Sequence, residues 1–182
     1  MKALQCVELA GPEKLIFTEV DDPKLSSGQV LLEIKAASVN FPDVLMIQGL
    51  YQNQPPMPFI PGAECSGVIT EIGEGVDSCN VGDHVFVMTG TGCFAEKLVV
   101  EAKSVSLIPK TMDFPVAAAL PMTYGTSLYA LKQRANLQPG ETLLVLGAAG
   151  GVGLSAVELG KAMGAKVIAA ASSKEKIKIC LE

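Results

Sequence analysis

The segment from Glu141 to Ala171 constrains the fold of this chain more than any other. Glu141-Thr142-Leu143-Leu144-Val145-Leu146 ends in a continuous apolar run, the pattern of a strand buried on both faces. It leads into Gly147-Ala148-Ala149-Gly150-Gly151-Val152-Gly153, after which Leu154 to Met163 carries apolar residues at helical spacing. Gly164 is placed to end that helix, and Lys166-Val167-Ile168-Ala169-Ala170-Ala171 is a second buried strand. Strand, glycine loop, helix and parallel strand within about 30 residues make a dinucleotide-binding βαβ unit. The glycines have a chemical reason. A pyrophosphate must approach bare backbone, and the first free N–H groups of the helix supply the anion site. Ala148-x-Gly150-x-x-Gly153 is the fingerprint with alanine for its first glycine, so its flanking elements, rather than the motif alone, make it specific. The alternative is a glycine-rich turn packed for steric reasons.

The end of the second strand bears on which dinucleotide is held. Sites for the unphosphorylated cofactor place an acidic residue about 20 residues after the loop begins, for the ribose 2′-hydroxyl. Here the stretch is Ala170-Ala171-Ser172-Ser173-Lys174-Glu175-Lys176, whose hydroxyls and lysines suit a 2′-phosphate. Glu175 falls in the first turn of the next helix, directed away. NADPH is therefore expected over NADH. The same serines also read as an N-cap for the helix that follows.

Upstream the texture is different. Gln29 to Lys35, Gly67 to Ile72 and Val85 to Met88 are strand patterns, punctuated by Gly73-Glu74-Gly75, Val81-Gly82-Asp83 and Gly90-Thr91-Gly92, with a further run from Ala95 to Val100. Short strands with glycine-rich turns predict a compact, barrel-like β domain. Near Lys110 the sequence turns helical: Asp113 is placed to cap, Pro115 lies in the first turn, and Val116 to Arg134 is rich in Ala and Leu. Pro121 and Gly125 are expected to split that stretch into two helices. The domain junction is expected between Arg134 and Gly140, with residues 1–134 forming the first domain and its connecting helices and residues 135–182 the βαβ unit. The fold class expected is α/β with a β-rich first domain.

Composition narrows the function. With 14 basic and 19 acidic side chains the net charge is −5, which offers no basic field to nucleic acid or anionic lipid. The apolar runs Val116 to Leu120 and Leu143 to Leu146 are far shorter than the roughly 20 residues of a bilayer span. Met1-Lys2-Ala3-Leu4-Gln5-Cys6 resembles neither a signal peptide nor an Arg-rich presequence, so a cytoplasmic location is expected, without excluding the mitochondrion. The five cysteines form no close pairs in sequence and read as reduced thiols rather than a redox device.

Four segments together resemble the quinone oxidoreductase branch of the medium-chain dehydrogenase/reductase superfamily, the branch that includes zeta-crystallin. They are Ala37-Ser38-Val39-Asn40-Phe41-Pro42-Asp43-Val44, Pro61-Gly62-Ala63-Glu64-Cys65-Ser66-Gly67-Val68, Val81-Gly82-Asp83-His84-Val85 and the glycine loop, in the family's order and spacing. The resemblance covers the whole chain and implies a GroES-like barrel followed by the opening βαβ unit of a Rossmann domain. The zinc-dependent relatives carry a cysteine where Asn40 stands and a Gly-His-Glu motif where this chain has Gly62-Ala63-Glu64. Three or four clustered ligands are needed for zinc, and the sequence shows none, so no metal is expected. His84, the lone histidine, reads as structural.

The activity implied is transfer of hydride or electrons from NADPH to quinones or conjugated carbonyls, chemistry that does not require a Lewis acid on the acceptor. By resemblance, Asn40 approaches the nicotinamide or acceptor, Tyr51 lines the substrate mouth with a hydroxyl for a developing oxyanion, and Asp43 supports them. Thr126 and Tyr129 match helix positions that approach the cofactor. Ala149, Gly150, Gly151 and Val152 match its phosphate cradle, and Ser172, Ser173 and Lys176 its 2′-phosphate contacts. Each acceptor-side residue has a plainer alternative: Asn40 satisfies a strand end, Asp43 caps a helix starting at Val44, and Tyr51 is a loop residue beside Pro55-Pro56. A complete dinucleotide domain has about six strands and this sequence supplies two, so a truncated form is expected: a splice product, a proteolytic fragment or a cloned piece. Uncovered apolar faces including Val145, Leu154, Val157 and Ile168 follow from that, and the chain alone is not expected to sustain full turnover. The full-length form is expected to be a homodimer. An enoyl or alkenal reductase, a non-catalytic binding fragment and, weakest of all, an RNA-binding protein are the other readings.

Overall fold

The computed structural model describes residues 1–181. Its contacts form two compact units, Met1–Ala119 and a second beginning at Leu120.

In the first unit, Lys2–Gln5 (β1) pairs antiparallel with Ile16–Glu19 (β2). Gln29–Ser38 (β3), Glu64–Ile72 (β4), His84–Met88 (β5), Lys97–Glu101 (β6) and Val105–Leu107 (β7) form an antiparallel sheet in the order β6-β3-β4-β5-β7. Single bridges, Ala3 to Ala95 and Cys6 to Phe59, tie the β1 region to the segments that follow β5 and precede β4. Strand alternation decides what is inside: Val30 and Leu32, Val85 and Val87 point with Cys65, Ile69, Cys93 and Val100 into one core. Each such branched side chain removed from water contributes about 1.5–3 kcal/mol. The β3–β4 register slips between Leu31 and Leu32 and again between Ile34 and Ala36. Such bulges bend a sheet and let it wrap around its core.

Between β3 and β4, Phe41–Ile47 forms α1. The plainer alternative for Asp43, capping a helix that starts at Val44, is corrected here. The helix begins three residues earlier, because Asn40 and Asp43 cap it reciprocally and Pro42 needs no N–H in a first turn. Phe114–Ala118 (α2) rests on the sheet, where the Ser66 hydroxyl donates to the Phe114 carbonyl at 2.6 Å and the His84 ring lies 4.7 Å from that of Phe114. Asp113 occupies the expected N-cap position of α2, although its side chain makes no capping bond.

The second unit opens with Leu120–Leu128 (α3), which continues into a wider π turn over Tyr129–Arg134. The helical stretch is indeed broken in two, but at Ala119 rather than at Pro121 or Gly125. Pro121 lies in the first turn of α3, where proline is tolerated, and Gly125 continues the helix. Thr142–Leu146 (β8), Gly151–Ala162 (α4) and Lys166–Ala170 (β9) then form the expected βαβ unit, with β8 and β9 parallel and Leu144 opposite Ile168. Gly164, at φ +83°, ends α4 as expected. Lys174–Leu181 (α5) follows.

A Cβ at Gly160 would lie 2.6 Å from Leu143 and 3.2 Å from Val167, so α4 covers the odd-numbered face of this two-stranded sheet. That corrects the expectation for Val145, which is buried under α4. Only the even-numbered face is open, with Leu144, Leu146 and Ile168 exposed. Helices α3 and α4 are joined by a buried pair of hydroxyls. Ser127 donates to the Val152 carbonyl at 2.8 Å and lies 2.9 Å from Ser155 Oγ, which reaches the Thr123 carbonyl at 3.0 Å.

Candidate functional site

The glycine loop builds a concave site at the carboxyl ends of β8 and β9. Gly147 leaves β8 at φ +66°, a conformation that favours glycine, and the Ala148 N–H returns to the Ala170 carbonyl at 3.0 Å. Gly150 caps α4 in an extended conformation. Gly153 has no room for a side chain: a Cβ there would lie 2.3 Å from the Gly147 carbonyl oxygen. The helix therefore starts hard against the loop, and its first-turn N–H groups, at Gly151, Val152 and Gly153, have no partner within the helix.

In front of this turn lies a pocket of about 410 Å³ lined by Gly147, Ala149, Gly150, Ala170, Ala171, Ser172 and Lys176. Lys176 brings an ammonium to its rim and donates to Ser172 Oγ at 3.2 Å. Ser173 serves α5, accepting the Lys176 backbone N–H at 3.3 Å. The Glu175 carboxyl is held below the usual range by a backbone N–H and then by the Ser173 hydroxyl. It is thus engaged at the start of α5, away from the pocket lining, as its position in the sequence indicates. A dinucleotide diphosphate fits this arrangement. It would meet the start of α4, with no side chain beyond Ala149 on the loop, while Ser172 and Lys176 face a ribose phosphate.

Of the sequence candidates in this unit, Ala149, Gly150, Ser172 and Lys176 line one pocket, with Gly151, Val152 and Ser173 immediately beside it. Thr126 and Tyr129 are not brought to it; both are exposed, on α3 and at the start of the π turn. Gly147, Ala170 and Ala171 were missed as lining residues. Their signal was smallness at the carboxyl ends of adjacent parallel strands, where such folds hold ligands.

The first unit gathers a second cluster, around Asn40. The Asn40 backbone N–H donates to Asp43 Oδ2 at 2.7 Å, and its side-chain amide donates to Glu64 Oε1 at 2.8 Å and Ser38 Oγ at 3.3 Å. Asp43 and Glu64 are both buried, at 3% and 0% exposure. Burial pushes the Asp43 carboxyl up and the nearby Glu64 charge adds to that, against the Asn40 N–H, which opposes it. Glu64 was overlooked as a candidate, because Gly62-Ala63-Glu64 drew attention only to its missing histidine. Its signal was an acidic residue heading the run Cys65-Ser66-Gly67-Val68-Ile69 of small and apolar residues. Tyr51 does not join this cluster by any hydrogen bond of its side chain. It packs, half-buried, against Cys6, Met46, Ile47 and Phe59. Among the described residues no group of three or more His, Cys, Asp or Glu converges as metal ligands would.

Residues 26–110 match the alcohol dehydrogenase GroES-like domain family. The chain is 38% identical over its full length to quinone oxidoreductase-like protein 2 of Rattus norvegicus, of which it covers 51%. The whole chain also superposes, with a TM-score of 0.87 and 35% identity, on 57% of the quinone oxidoreductase of Thermus thermophilus, a protein solved in complex with NADPH. Together these likenesses support a quinone oxidoreductase-like member of the medium-chain dehydrogenase/reductase superfamily. The chain also matches the CurK enoyl reductase, with a TM-score of 0.90 and 31% identity, 99% of the chain covering 56% of that protein. It spans about half the length of the curated relatives it matches.

Proposed function

We propose that this chain carries the acceptor-binding domain and the first cofactor-binding unit of a zinc-independent, NADPH-dependent quinone oxidoreductase. One observation carries the reading: the pocket at the β8–α4 turn pairs a helix start with Ser172 and the Lys176 ammonium at the position that selects between the two dinucleotides. When bound, NADPH supplies the hydride, and the protein's task is to hold and orient. The start of α4 takes the diphosphate, with Ala149, Gly150, Gly151 and Val152 as its cradle. Ser172, Ser173 and Lys176 take the 2′-phosphate through charge-assisted hydrogen bonds. Thr126 and Tyr129, both exposed, are offered as further cofactor contacts.

On the acceptor side, Asn40 is held in one orientation by Glu64, Ser38 and Asp43 and presents a fixed polar group to the nicotinamide or acceptor. Tyr51 offers a hydroxyl for charge developing on the acceptor oxygen. Asp43 is a positioning residue for Asn40. A cytoplasmic setting, a homodimer of the longer protein and small quinone substrates belong to the same proposal.

The test is an NADPH and NADH titration followed by cofactor oxidation with a naphthoquinone. NADPH should bind the more tightly, and Lys176→Ala should erase about three- to tenfold of that preference, since the lysine is exposed and screened. Equal affinity for the two cofactors in the wild-type chain refutes the reading. The likeness to CurK favours a second one, reduction of a carbon–carbon double bond conjugated to a carbonyl. Acceptor profiling with quinones against enones separates the two, and cofactor binding without turnover identifies a purely binding role.

A further inference from the structure

The five cysteines are free thiols, and four are buried. Two that are far apart in sequence, Cys65 on β4 and Cys93 in the loop after β5, belong to the same core of the first unit, at 0% and 1% exposure. Backbone hydrogen bonds hold their segments together. The Thr89 and Cys93 N–H groups donate to the carbonyls of Ala63 at 2.8 Å and Gly62 at 3.1 Å, just ahead of Cys65. The Thr89 hydroxyl lies 3.3 Å from Cys93 Sγ, and Cys65 and Cys93 pack in the same buried cluster. The contact with Cys65, helped by Thr89, holds the Cys93 thiol below its ordinary range, while the same contact and burial push Cys65 far above it. Cys93, whose sulfur has the Thr89 hydroxyl beside it, is assigned as the nucleophile of the pair.

The two thiols also differ in access. Cys93 lines a groove of about 330 Å³ whose walls include Ala37, Phe94, Lys2 and Lys35; Cys65 does not line it. The loop that carries Cys93 has glycines at positive φ at 90 and 92 and forms no ladder of its own, and of the two thiols it is Cys93 that borders the groove.

We propose that Cys65 and Cys93 form a modification site, a dithiol that a small hydroperoxide entering this groove converts to a disulfide. The Cys93 thiolate attacks one peroxide oxygen; the S–O bond forms, the O–O bond breaks and the second oxygen takes the proton that Cys93 released, leaving as water from hydrogen peroxide or as an alcohol from an organic hydroperoxide. The Cys65 sulfur then attacks the resulting sulfenic sulfur. The S–S bond forms and the hydroxyl departs with the Cys65 proton as water. Two thiols give up two electrons and the peroxide accepts them.

The experiment is limited peroxide treatment of the folded chain, alkylation of the remaining thiols and non-reducing peptide mapping. The expected result is a loss of about 2 Da and one linked peptide pair containing Cys65 and Cys93, both reversed by dithiothreitol. Cys65→Ala should stop at a sulfenic acid on Cys93 that dimedone traps, formed more slowly than the wild-type disulfide because the contact that lowers the Cys93 thiol is gone, and Cys93→Ala should leave Cys65 reduced. A linkage in which Cys6, Cys79 or Cys180 replaces either partner overturns the proposal. So does a peroxide-treated folded chain in which both residues remain alkylatable. The wild-type map decides the matter even where a variant fails to fold.

Discussion

A buried carboxyl with a raised proton affinity leaves a signature in the stability of the protein. Asp43 is pushed up chiefly by burial, so the folded chain keeps its proton at a pH where the unfolded chain has released it. Folding then takes up a proton. The stabilisation this linkage adds is complete below the ordinary carboxylate range, around pH 4, and is lost as pH rises through the raised value. Asp43→Asn removes the slope, while its amide oxygen still accepts from the Asn40 N–H. The wild-type Tm should therefore fall relative to that of the variant as pH rises from about 4; thermal melts that stay parallel across this range would refute it. At this scale the sequence was legible through its motifs. Asn40, singled out by the family resemblance, is the hub of the cluster, whereas its residue type alone read as a strand-end group. Glu64 did not stand out, because its importance lies in being fully buried opposite an amide from another segment, a property of the tertiary fold alone. The same holds for Cys65 and Cys93, which are not neighbours in the sequence and meet only when β4 and the loop after β5 close on one core.

Among elements, α4 shows how tightly loop and helix are fitted. A methyl at Gly153 would clash with the Gly147 carbonyl oxygen, a backbone atom that cannot swing aside. Gly153→Ala should thus cost about 1–3 kcal/mol, the usual range for overpacking, and should weaken dinucleotide binding by displacing the first-turn N–H groups. Gly125→Ala, where a Cβ meets nothing within 4 Å, is the matched control and should be neutral or slightly stabilising. Denaturant melts of the two variants decide the point, and equal stabilities would refute the fit. The buried Ser127–Ser155 pair makes a parallel case. Ser127→Ala removes one of the two hydroxyls that meet the Val152 carbonyl, the other being Ser155 Oγ at 2.9 Å, and should cost about 0.5–1.5 kcal/mol by the same measurement. Element type was readable from period: alternation for the strands, an apolar run for β8, glycine punctuation between them. Boundaries were not, because α1 begins ahead of Asp43, which reads as its cap, and α3 begins one residue ahead of Pro121, which reads as a break but acts as a first-turn residue.

Over the whole molecule, the most consequential departure from an evenly polar surface is the open side of the β8–β9 pair. Leu146 is 77% exposed and Leu144 57%, with Ile168 opposite Leu144 at 47%. An apolar run predicted a strand buried on both faces, yet packing covers only the side that α4 reaches. The run records what the strand is suited to, whereas burial depends on which elements lie against it. Contiguous apolar surface of this kind binds hydrophobic dyes and promotes association. Replacing Leu144, Leu146 and Ile168 by threonine keeps the β preference and changes no residue of the α4-facing side. The triple variant should retain the wild-type far-ultraviolet spectrum, lose most of the anilinonaphthalene sulfonate fluorescence and shift toward smaller species in size-exclusion chromatography. If dye binding persists undiminished, the apolar surface responsible lies elsewhere, with the exposed Val39, Phe41 and Leu50 of the first unit as the next place to test.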